Sequence, residues 1–307
     1  MLAESFGAKS TADDILAGKN LSGKTIVVTG ANTGIGYATA RAFAASGARV
    51  IFACRNAANG NQAVANAMLQ HPGCNAEFLA LDLGSAGSIL SFCQTLDAEQ
   101  VDILVCNAGL MATSYSEVDQ ATEATVGVSH FGHFLLTQTL MQKLLASGNP
   151  RVIMVSSTSH TMPKHLQFDR FPMQKHNFKS MVAYGQAKLC NVLMANELQR
   201  RYGDQGLSAC ALHPGTMVTT DIGRNSFAIN LFMKIISPLT KTPNQGAATS
   251  VYCAVHEPAE EIQGCYFSSC KAVKSSAEAN DPAVAAKLWA LSEAWCQDAV
   301  QAVQNNH

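Results

Sequence analysis

The feature that most constrains the fold is a short apolar run that leads through a glycine-rich turn into a helical pattern. The run Thr25–Thr29 (TIVVT) is followed without a break by T-G-A-N-T-G-I-G over residues 29–36. In such a turn Gly30 permits the sharp bend, Gly34 lets backbone amides approach a ligand, and Gly36 lets the helix pack close to the strand. The positive end of that helix would face a bound pyrophosphate. The pattern therefore predicts a dinucleotide-binding turn; the alternative is an ordinary glycine-rich turn.

The spacing of the three glycines is G-x-x-x-G-x-G, which differs from the common G-x-G-x-x-G fingerprint. Their position after the first strand and before a helix still meets the structural condition for a dinucleotide site. The predicted cofactor-binding residues of the turn are Gly30, Asn32, Thr33, Gly34, Ile35 and Gly36.

Short β-rich runs alternate with longer helical segments along the rest of the chain. Continuous apolar runs are typical of strands covered on both faces, and strand–helix alternation indicates right-handed crossovers. We predict an α/β fold, a doubly wound parallel sheet with helices on both faces, in one domain over residues 23–307 after a lead-in segment over 1–22. The other predicted strands are Val50–Cys54, Glu77–Leu81, Ile103–Cys106, Val152–Val155, Ser208–Leu212 and, more weakly, Cys265–Ser268. The predicted helices cover residues 35–46, 58–70, 86–97, 119–146, 182–202, 246–255 and 283–303.

Composition and charge exclude several classes of protein. Of the 307 residues 48% are hydrophobic and 14% are charged, and the formal net charge is −1. Such a chain is neither disordered nor a coiled coil, and it has no strong field to attract nucleic acid or an anionic membrane. The ten cysteines include no C-x-x-C pair, so we expect no metal site.

The chain also has no recognisable secretory signal at its N-terminus. The apolar stretch Phe227–Leu239 is interrupted by Lys234 and is too short to span a bilayer. Scattered thiols without a signal indicate a reducing compartment. We therefore expect a cytoplasmic protein with no nucleic-acid partner and no integral membrane segment.

Polar or small residues follow the second, third and fourth predicted strands. The second strand ends in Cys54-Arg55-Asn56, with no carboxylate for a ribose 2′-hydroxyl, and Arg55 can pair with a 2′-phosphate. This favours NADP(H) over NAD(H); the alternative is a solvated arginine. Ligands gather at the carboxyl ends of such strands, so Asp82-Leu83 and Asn107-Ala108-Gly109 are further cofactor candidates. Asp82 has a helix N-cap as its alternative.

A tyrosine and a lysine four residues apart form the candidate proton-transfer group. Tyr184 and Lys188 lie in a helical segment and project from one face. A phenol is a poor base at neutral pH, and a nearby ammonium lowers its pKa, so Lys188 is expected to activate Tyr184 and to hold a cofactor ribose. The preceding strand ends in Ser156-Ser157, and because side chains alternate we expect Ser157 to face the substrate oxygen. Taken alone, the pair would be an amphipathic surface feature.

A Pro-Gly turn follows the sixth strand. It reads His213-Pro214-Gly215-Thr216, and we expect its last three residues to contact the nicotinamide. The alternative is a plain loop turn. His213 is expected to be structural rather than catalytic, and no histidine spacing in the chain requires a metal.

Together these motifs resemble the short-chain dehydrogenase/reductase family over about residues 22–300. Within it the chain is most similar to the retinol-dehydrogenase-like branch and to the catalytic domains of WW-domain-containing oxidoreductases. The stretches that carry this resemblance are ACRN at 53–56, AYGQAKLCN at 183–191, HPGT at 213–216, QGAATSVYCA at 245–254 and LWALSE at 288–293.

The resemblance implies a seven-stranded Rossmann fold and NADP(H)-linked interconversion of alcohols and carbonyls. Tyr184 matches the general acid/base, Lys188 its helper and ribose ligand, and Ser157 the substrate-orienting hydroxyl. In that family the helix with the tyrosine often builds a dimer interface, so a homodimer is an open alternative to a monomer. We expect neither WW modules nor the N-terminal anchor of membrane-bound retinol dehydrogenases.

One departure from the family pattern concerns the proton relay. The family usually reads V-N-H-x-G-H-F, whereas this chain has Ser129 in place of the asparagine. The shorter side chain is expected to support the relay less well, and this motivates an alternative function, an NADP(H)-binding scaffold or sensor with little turnover.

Two segments are candidates for a pocket that holds a lipophilic alcohol or carbonyl. A long insert separates Ser157 from Tyr184, and the apolar stretch Ser226–Leu239 lies where the family forms its substrate lid. The alternative is that these side chains only pack the two segments onto the domain. The apolar and Pro residues of the insert are Met162, Pro163, Leu166, Phe168, Phe171, Pro172, Met173 and Phe178.

Overall fold

The computed structural model of this protein describes residues 6–215 and 241–305. At its centre lies an eight-stranded sheet, beside a separate two-stranded hairpin. The strands are β1 Thr25–Thr29, β2 Arg49–Cys54, β3 Asn75–Ala80, β4 Ile103–Cys106, the hairpin strands β5 Glu117–Val118 and β6 Thr122–Glu123, β7 Arg151–Val155, β8 Ser208–His213, β9 Tyr266–Ser268 and β10 Lys271–Val273. The helices are α1 Ala12–Leu16, α2 Gly34–Ala45, α3 Ala57–Gln70, α4 Ala86–Thr95, α5 Ala124–Val126, α6 Gly132–Leu145, α7 Ser180–Tyr202, α8 Pro243–Val255 and α9 Pro282–Asn305.

The strand order places a crevice at the end of β1. The order is β10-β9-β8-β7-β4-β1-β2-β3, and β1 pairs in parallel with both β2 and β4. The chain therefore builds the sheet outward in two directions from β1. In open α/β sheets the ligand site lies at this switch point, beyond the carboxyl ends of the strands. The predicted doubly wound α/β Rossmann fold is confirmed.

The strand count differs from the predicted seven, because β10 is an eighth strand and pairs antiparallel with β9. It has only three residues, all exposed, and is too short for an apolar pattern to predict a strand. Ser269 and Cys270, which join it to β9, have positive φ angles of 52° and 59°. This conformation is uncommon for residues other than glycine, so the residue types Ser and Cys do not indicate a turn at this point.

The helix predicted over residues 119–146 begins later and is irregular. A hairpin of β5 and β6 occupies its first part, and the Glu123 carboxylate accepts hydrogen bonds from the amides of Thr125 and Val126, which starts α5. A π-helical turn at Gly127–Phe131 then leads into α6. Such wide turns occur often at functional sites.

The apolar side chains of the sheet alternate between two core layers. In β1, Val27 packs in the layer under α4, α6, α7 and α9, whereas Ile26 and Val28 pack in the layer with α1, α2 and α8. Coverage of both faces explains why the strands read as continuous apolar runs. Helix α1 lies within the predicted lead-in, and its Ala12 amide donates to the Asn244 side chain (3.2 Å). The domain boundary after residue 22 stays a prediction.

Helix α9 covers one face of α7 within a single chain. The Arg201 guanidinium lies 4.5 Å from the Trp289 ring centre, and Asn196 donates to the carbonyl of Ala279 (2.8 Å) in the turn just before α9. The homodimer stays an open alternative to a monomer. Among the helices of residues 6–215 and 241–305, none combines the length and the apolar character needed to cross a bilayer.

Candidate active site

The glycine-rich turn after β1 has the backbone shape that a dinucleotide requires. Gly30 and Gly34 have positive φ angles of 65° and 59°, which favour glycine. A Cβ on Gly36 would lie 2.3 Å from the carbonyl oxygen of Gly30, so α2 begins in direct contact with the turn. Asn32, Thr33 and Ile35 lie in the same turn and first helical residues. The turn therefore fits a pyrophosphate at the N-terminus of α2.

Asn107 ties the end of β4 to the end of β1. Its side-chain amide donates to the carbonyl of Thr29 (2.8 Å), and the backbone amides of Asn107 and Ala108 both donate to the Thr29 hydroxyl (2.9 Å each). A Cβ on Gly30 would lie 3.1 Å from the Cα of Ala108. The segment Asn107-Ala108-Gly109 is thus held against the glycine-rich turn after β1.

Arg55 is exposed and lies just beyond the end of β2, beside the turn. The neighbouring Ala53 pairs with Thr29, and its carbonyl accepts from the Gly30 amide (2.7 Å). Arg41 of α2 is held elsewhere, because it binds the Asp13 carboxylate in a bidentate pair (2.7 and 2.9 Å). Arg55 therefore presents an exposed guanidinium at the end of β2, next to the strand that leads into the glycine-rich turn.

Asp82 and Leu83 follow β3 on the same edge of the sheet. The Asp82 carboxylate accepts from the amide of Gly84 (2.9 Å), whereas Ser85 is the residue that caps α4. The alternative interpretation of Asp82 as a helix N-cap is wrong. Leu83 is buried, and its carbonyl packs so closely against Gly132 that a Cβ there would lie 2.1 Å away.

Tyr184, Lys188 and Ser157 meet beside this edge. The Ser157 hydroxyl accepts from the amide of Ser159 (3.2 Å) and lies close enough to the Tyr184 phenol to lower its pKa. The Lys188 Nζ lies 5.5 Å from the centre of the Tyr184 ring and donates to the carbonyl of Val155 (3.0 Å). A Cβ on Gly109 would lie 3.1 Å from the same Nζ. Lys188 therefore lies between Tyr184 and the segment Asn107-Ala108-Gly109 after β4.

The two serines after β7 point in different directions. Ser156 is buried and donates to the carbonyl of Lys188 (2.7 Å), so it supports the backbone of α7. Ser157 is the serine beside the phenol. The side chains of Ser156 and Ser157 therefore point to different sides, as the alternation of side chains along a strand predicts.

The electrostatics of the phenol differ from the expectation. Burial raises the pKa of Tyr184, and the hydrogen bond with Ser157 lowers it by less. Burial also lowers the pKa of Lys188 to about 8, since its ammonium is away from water. A protonated Tyr184 is therefore the stable form at neutral pH in this structure, and its activation by Lys188 stays a prediction.

Ser129, which the motif places at the relay position, and His133 form a buried link whose partners the sequence did not predict. The Ser129 hydroxyl accepts from the amide of Leu110 (3.1 Å), next to Gly109. His133 joins the Ser129 carbonyl at Nδ1 (3.0 Å) to the Thr29 hydroxyl at Nε2 (2.9 Å). The signal in the sequence was the four-residue spacing of Ser129 and His133, which places them one helical turn apart.

The Pro-Gly turn after β8 is only partly described. Gly215 has a φ of 122°, and a Cβ there would lie 2.6 Å from Cδ of Lys241. Thr216 and the predicted lid Ser226–Leu239 lie outside the described residues. Over residues 6–215 and 241–305, no group of three or more His, Cys, Asp or Glu side chains is arranged to hold a metal ion.

Comparisons with known proteins agree with this geometry. A profile of the short chain dehydrogenase family matches residues 24–168. The WW domain-containing oxidoreductase of Gallus gallus is 40% identical over 298 residues, which cover 94% of this chain and 72% of that protein. Retinol dehydrogenase 12 of Mus musculus is 40% identical over 274 residues, which cover 89% of this chain and 86% of that protein.

A solved structure is similar over nearly the whole chain. It is an uncharacterized protein from Mycobacterium paratuberculosis with a TM-score of 0.74 and 30% identity, and the match covers 94% of this chain and 98% of that one. The resemblance to the retinol-dehydrogenase-like branch is confirmed by the curated relatives. The chain belongs to the short-chain dehydrogenase/reductase family of oxidoreductases.

Proposed function

We propose that this protein is an NADP(H)-dependent oxidoreductase that interconverts a lipophilic alcohol and its carbonyl. The observation that carries the proposal is that the Tyr184 phenol lies beside both Ser157 and Lys188. The Nζ of Lys188 in turn lies next to Gly109, in the segment that follows β4. A proton donor, an oxygen-binding hydroxyl and a cation thus adjoin a dinucleotide turn. This is the set that reduction of a carbonyl needs.

Each side chain has a separate task in the proposed reaction. A bound nicotinamide supplies or accepts the hydride. Tyr184 donates its proton to the substrate oxygen in reduction and withdraws it in oxidation. Ser157 donates a hydrogen bond to the same oxygen, and Lys188 holds the cofactor ribose while its donation to Val155 fixes the side chain.

The preference for NADP(H) rests on Arg55. A guanidinium pairs with a phosphate in a planar, bidentate contact, and β2 ends without a carboxylate that would repel the phosphate. In the dinucleotide fold an acid at this point favours the unphosphorylated ribose instead.

Arg55→Ala is expected to weaken NADPH binding about 10–100-fold and to leave NADH binding within about twofold, since a hydrogen bond to a charged group contributes roughly 1.5–3 kcal/mol. Titration of both coenzymes by fluorescence measures this. Arg170→Ala is the matched control, because that side chain is 71% exposed on the insert. Equal affinity of the wild-type protein for NADPH and NADH would contradict the proposed preference for NADP(H).

The lipophilic substrate class is supported by the relatives rather than by the insert. One relative of 40% identity is named retinol dehydrogenase 12. Within the insert Leu166 and Phe171 are buried in the main core, so they stabilise the fold, whereas Met162 is half exposed. The wall of the pocket therefore includes only part of the apolar insert.

Consumption of NADPH across a panel of aldehydes, ketones and retinoids tests the proposed activity. The second candidate is a scaffold or sensor that binds NADP(H) with little turnover. It is favoured by Ser129, which replaces the relay asparagine and whose hydroxyl already accepts from Leu110. Silence across the panel with measurable NADPH binding would support the sensor and contradict the enzyme.

A further inference from the structure

His213, at the end of β8, is a buried histidine without hydrogen bonds in the described part of the chain. It is 7% exposed, and neither Nδ1 nor Nε2 has a partner among residues 6–215 and 241–305. Structural histidines in a core are normally hydrogen-bonded, because an unpaired buried polar group is costly. The other buried histidines of the described chain each have at least one bond. His213 therefore requires a different explanation from the structural one.

A second unpaired polar group lies on the neighbouring strand. Tyr266 of β9 is 6% exposed, and its hydroxyl also has no partner among the described residues. Ala211 pairs with Tyr266 in the register of β8 and β9. Since side chains alternate along a strand, His213 lies on the same sheet face as Ala211, and Ala211 and Tyr266 share the core layer of α7. The two unpaired groups therefore lie on the face of the sheet that carries Tyr184.

His160 connects these groups to the catalytic serine. Its ring centre lies 4.6 Å from that of Tyr266, and its Nδ1 is 2.7 Å from the carbonyl oxygen of Ser157. The Nε2 accepts from the amide of Ser276 (3.2 Å), so Nδ1 carries the proton and donates to Ser157. His160 has both nitrogens paired, so its ring links Tyr266, which it packs against, to the backbone of Ser157.

The surroundings of the His213 imidazole and the Tyr266 phenol keep both side chains uncharged. Burial, together with Lys241 and His160, lowers the pKa of His213 to about 4, so the imidazole is neutral at physiological pH. Burial raises the pKa of Tyr266, and so does the nearby Tyr184. A neutral imidazole offers one donor and one acceptor, and a phenol offers one of each.

We propose that His213 and Tyr266 bind a second oxygen of the substrate, so that the substrate class is a hydroxylated carbonyl or its diol. This inference rests on the proposed function and narrows it. A hydroxyl group has both a donor and acceptors, so it pairs with the imidazole and the phenol together. A purely hydrocarbon tail would leave both buried groups unpaired, and sites built to bond a hydroxyl discriminate strongly against analogues that lack it.

The test compares cyclohexanone with its 2-, 3- and 4-hydroxy derivatives as probes. Their affinities for the full chain with saturating NADP+ are measured by ligand-observed NMR titration, which needs no turnover. We expect at least one hydroxy derivative to bind tenfold or more tightly than cyclohexanone. Tyr266→Phe keeps the ring and removes the hydroxyl, and His213→Phe replaces the imidazole by an apolar ring. Each is expected to reduce that ratio to below about threefold.

Tyr202→Phe is the matched control, because its hydroxyl bonds with Gln138 (3.3 Å) away from the site, and it should leave the ratio unchanged. Ratios within twofold of one for every derivative in the wild-type protein would overturn the inference and indicate that water alone pairs the two groups. A high ratio that survives both Phe variants would overturn it as well. NADPH consumption in a parallel assay separates the two proposals: selective binding without turnover contradicts only the proposed function, and turnover without selectivity contradicts only this inference.

Discussion

Tyr184→Phe is expected to lower kcat for carbonyl reduction by about 10²–10⁴-fold, the usual contribution of a positioned general acid. The substitution keeps the ring that lies beside Lys188 and removes only the proton donor and the partner of Ser157. Binding of NADPH should change by less than about threefold, because the turn at Gly30–Gly36 is untouched. Steady-state kinetics on any substrate found in the panel, with NADPH titration beside it, measures both quantities.

The pH dependence adds a second readout for the same residue. Because burial raises the pKa of Tyr184, the phenol keeps its proton through neutral pH, and reduction should not slow there through loss of the acid. Alcohol oxidation needs the phenolate, so its rate should rise with pH. Tyr202→Phe serves again as the control. A Tyr184→Phe enzyme with wild-type kcat would show that another group transfers the proton.

The cofactor half of the site was the most predictable from sequence. The run Thr25–Thr29 and the glycines after it are contiguous, so local spacing alone describes the turn. Arg55 and Asn107 follow other strands, and parallel strands bring their carboxyl ends to one edge. Position along the chain was therefore enough to bring these residues together.

The features that sequence could not predict depend on contacts between distant segments. Strand β10 has no apolar pattern, and its place follows only from pairing with β9. The link from Thr29 through His133 to Ser129 spans about a hundred residues and depends on which nitrogen carries the proton. Burial raises the pKa of Tyr184, and burial is a property of the fold that the spacing of Tyr184 and Lys188 does not reveal.

Two buried histidines in the segment that includes the π-turn and the start of α6 are expected to make the fold acid-sensitive. His130 bonds through Nε2 to the Ser292 hydroxyl (2.8 Å), which itself donates to Leu288, so Nε2 carries the proton. Its Nδ1 has no partner among the described residues, and protonation would bury an unpaired N–H there. Burial lowers the pKa of His130 to about 3 and that of His133 to about 4.

The sign of the effect follows from these lowered values. An unfolded histidine has a pKa of about 6.5, so below that pH the unfolded chain binds more protons than the folded one. The contribution of the two neutral histidines to the free energy of unfolding is fully present above about pH 6.5. It is lost as the pH falls towards 4 for His133 and 3 for His130. At pH 5 each histidine costs about 2 kcal/mol, or about 4 kcal/mol for the pair, against a typical total of about 5–15 kcal/mol.

Urea unfolding between pH 5 and 8 measures this loss. His130→Gln cannot titrate at this position. Below about pH 6 its free energy of unfolding should therefore fall less steeply with acid than that of the wild type, by about one proton or roughly 1.4 kcal/mol per pH unit. The absolute stability of this variant is expected to be lower at pH 8, because the buried site is disturbed. His176→Gln is the matched control, since it removes a histidine that is exposed to solvent. If His130→Gln and the wild type show the same slope, His130 takes up its proton in the folded state, and the acid sensitivity must come from other groups.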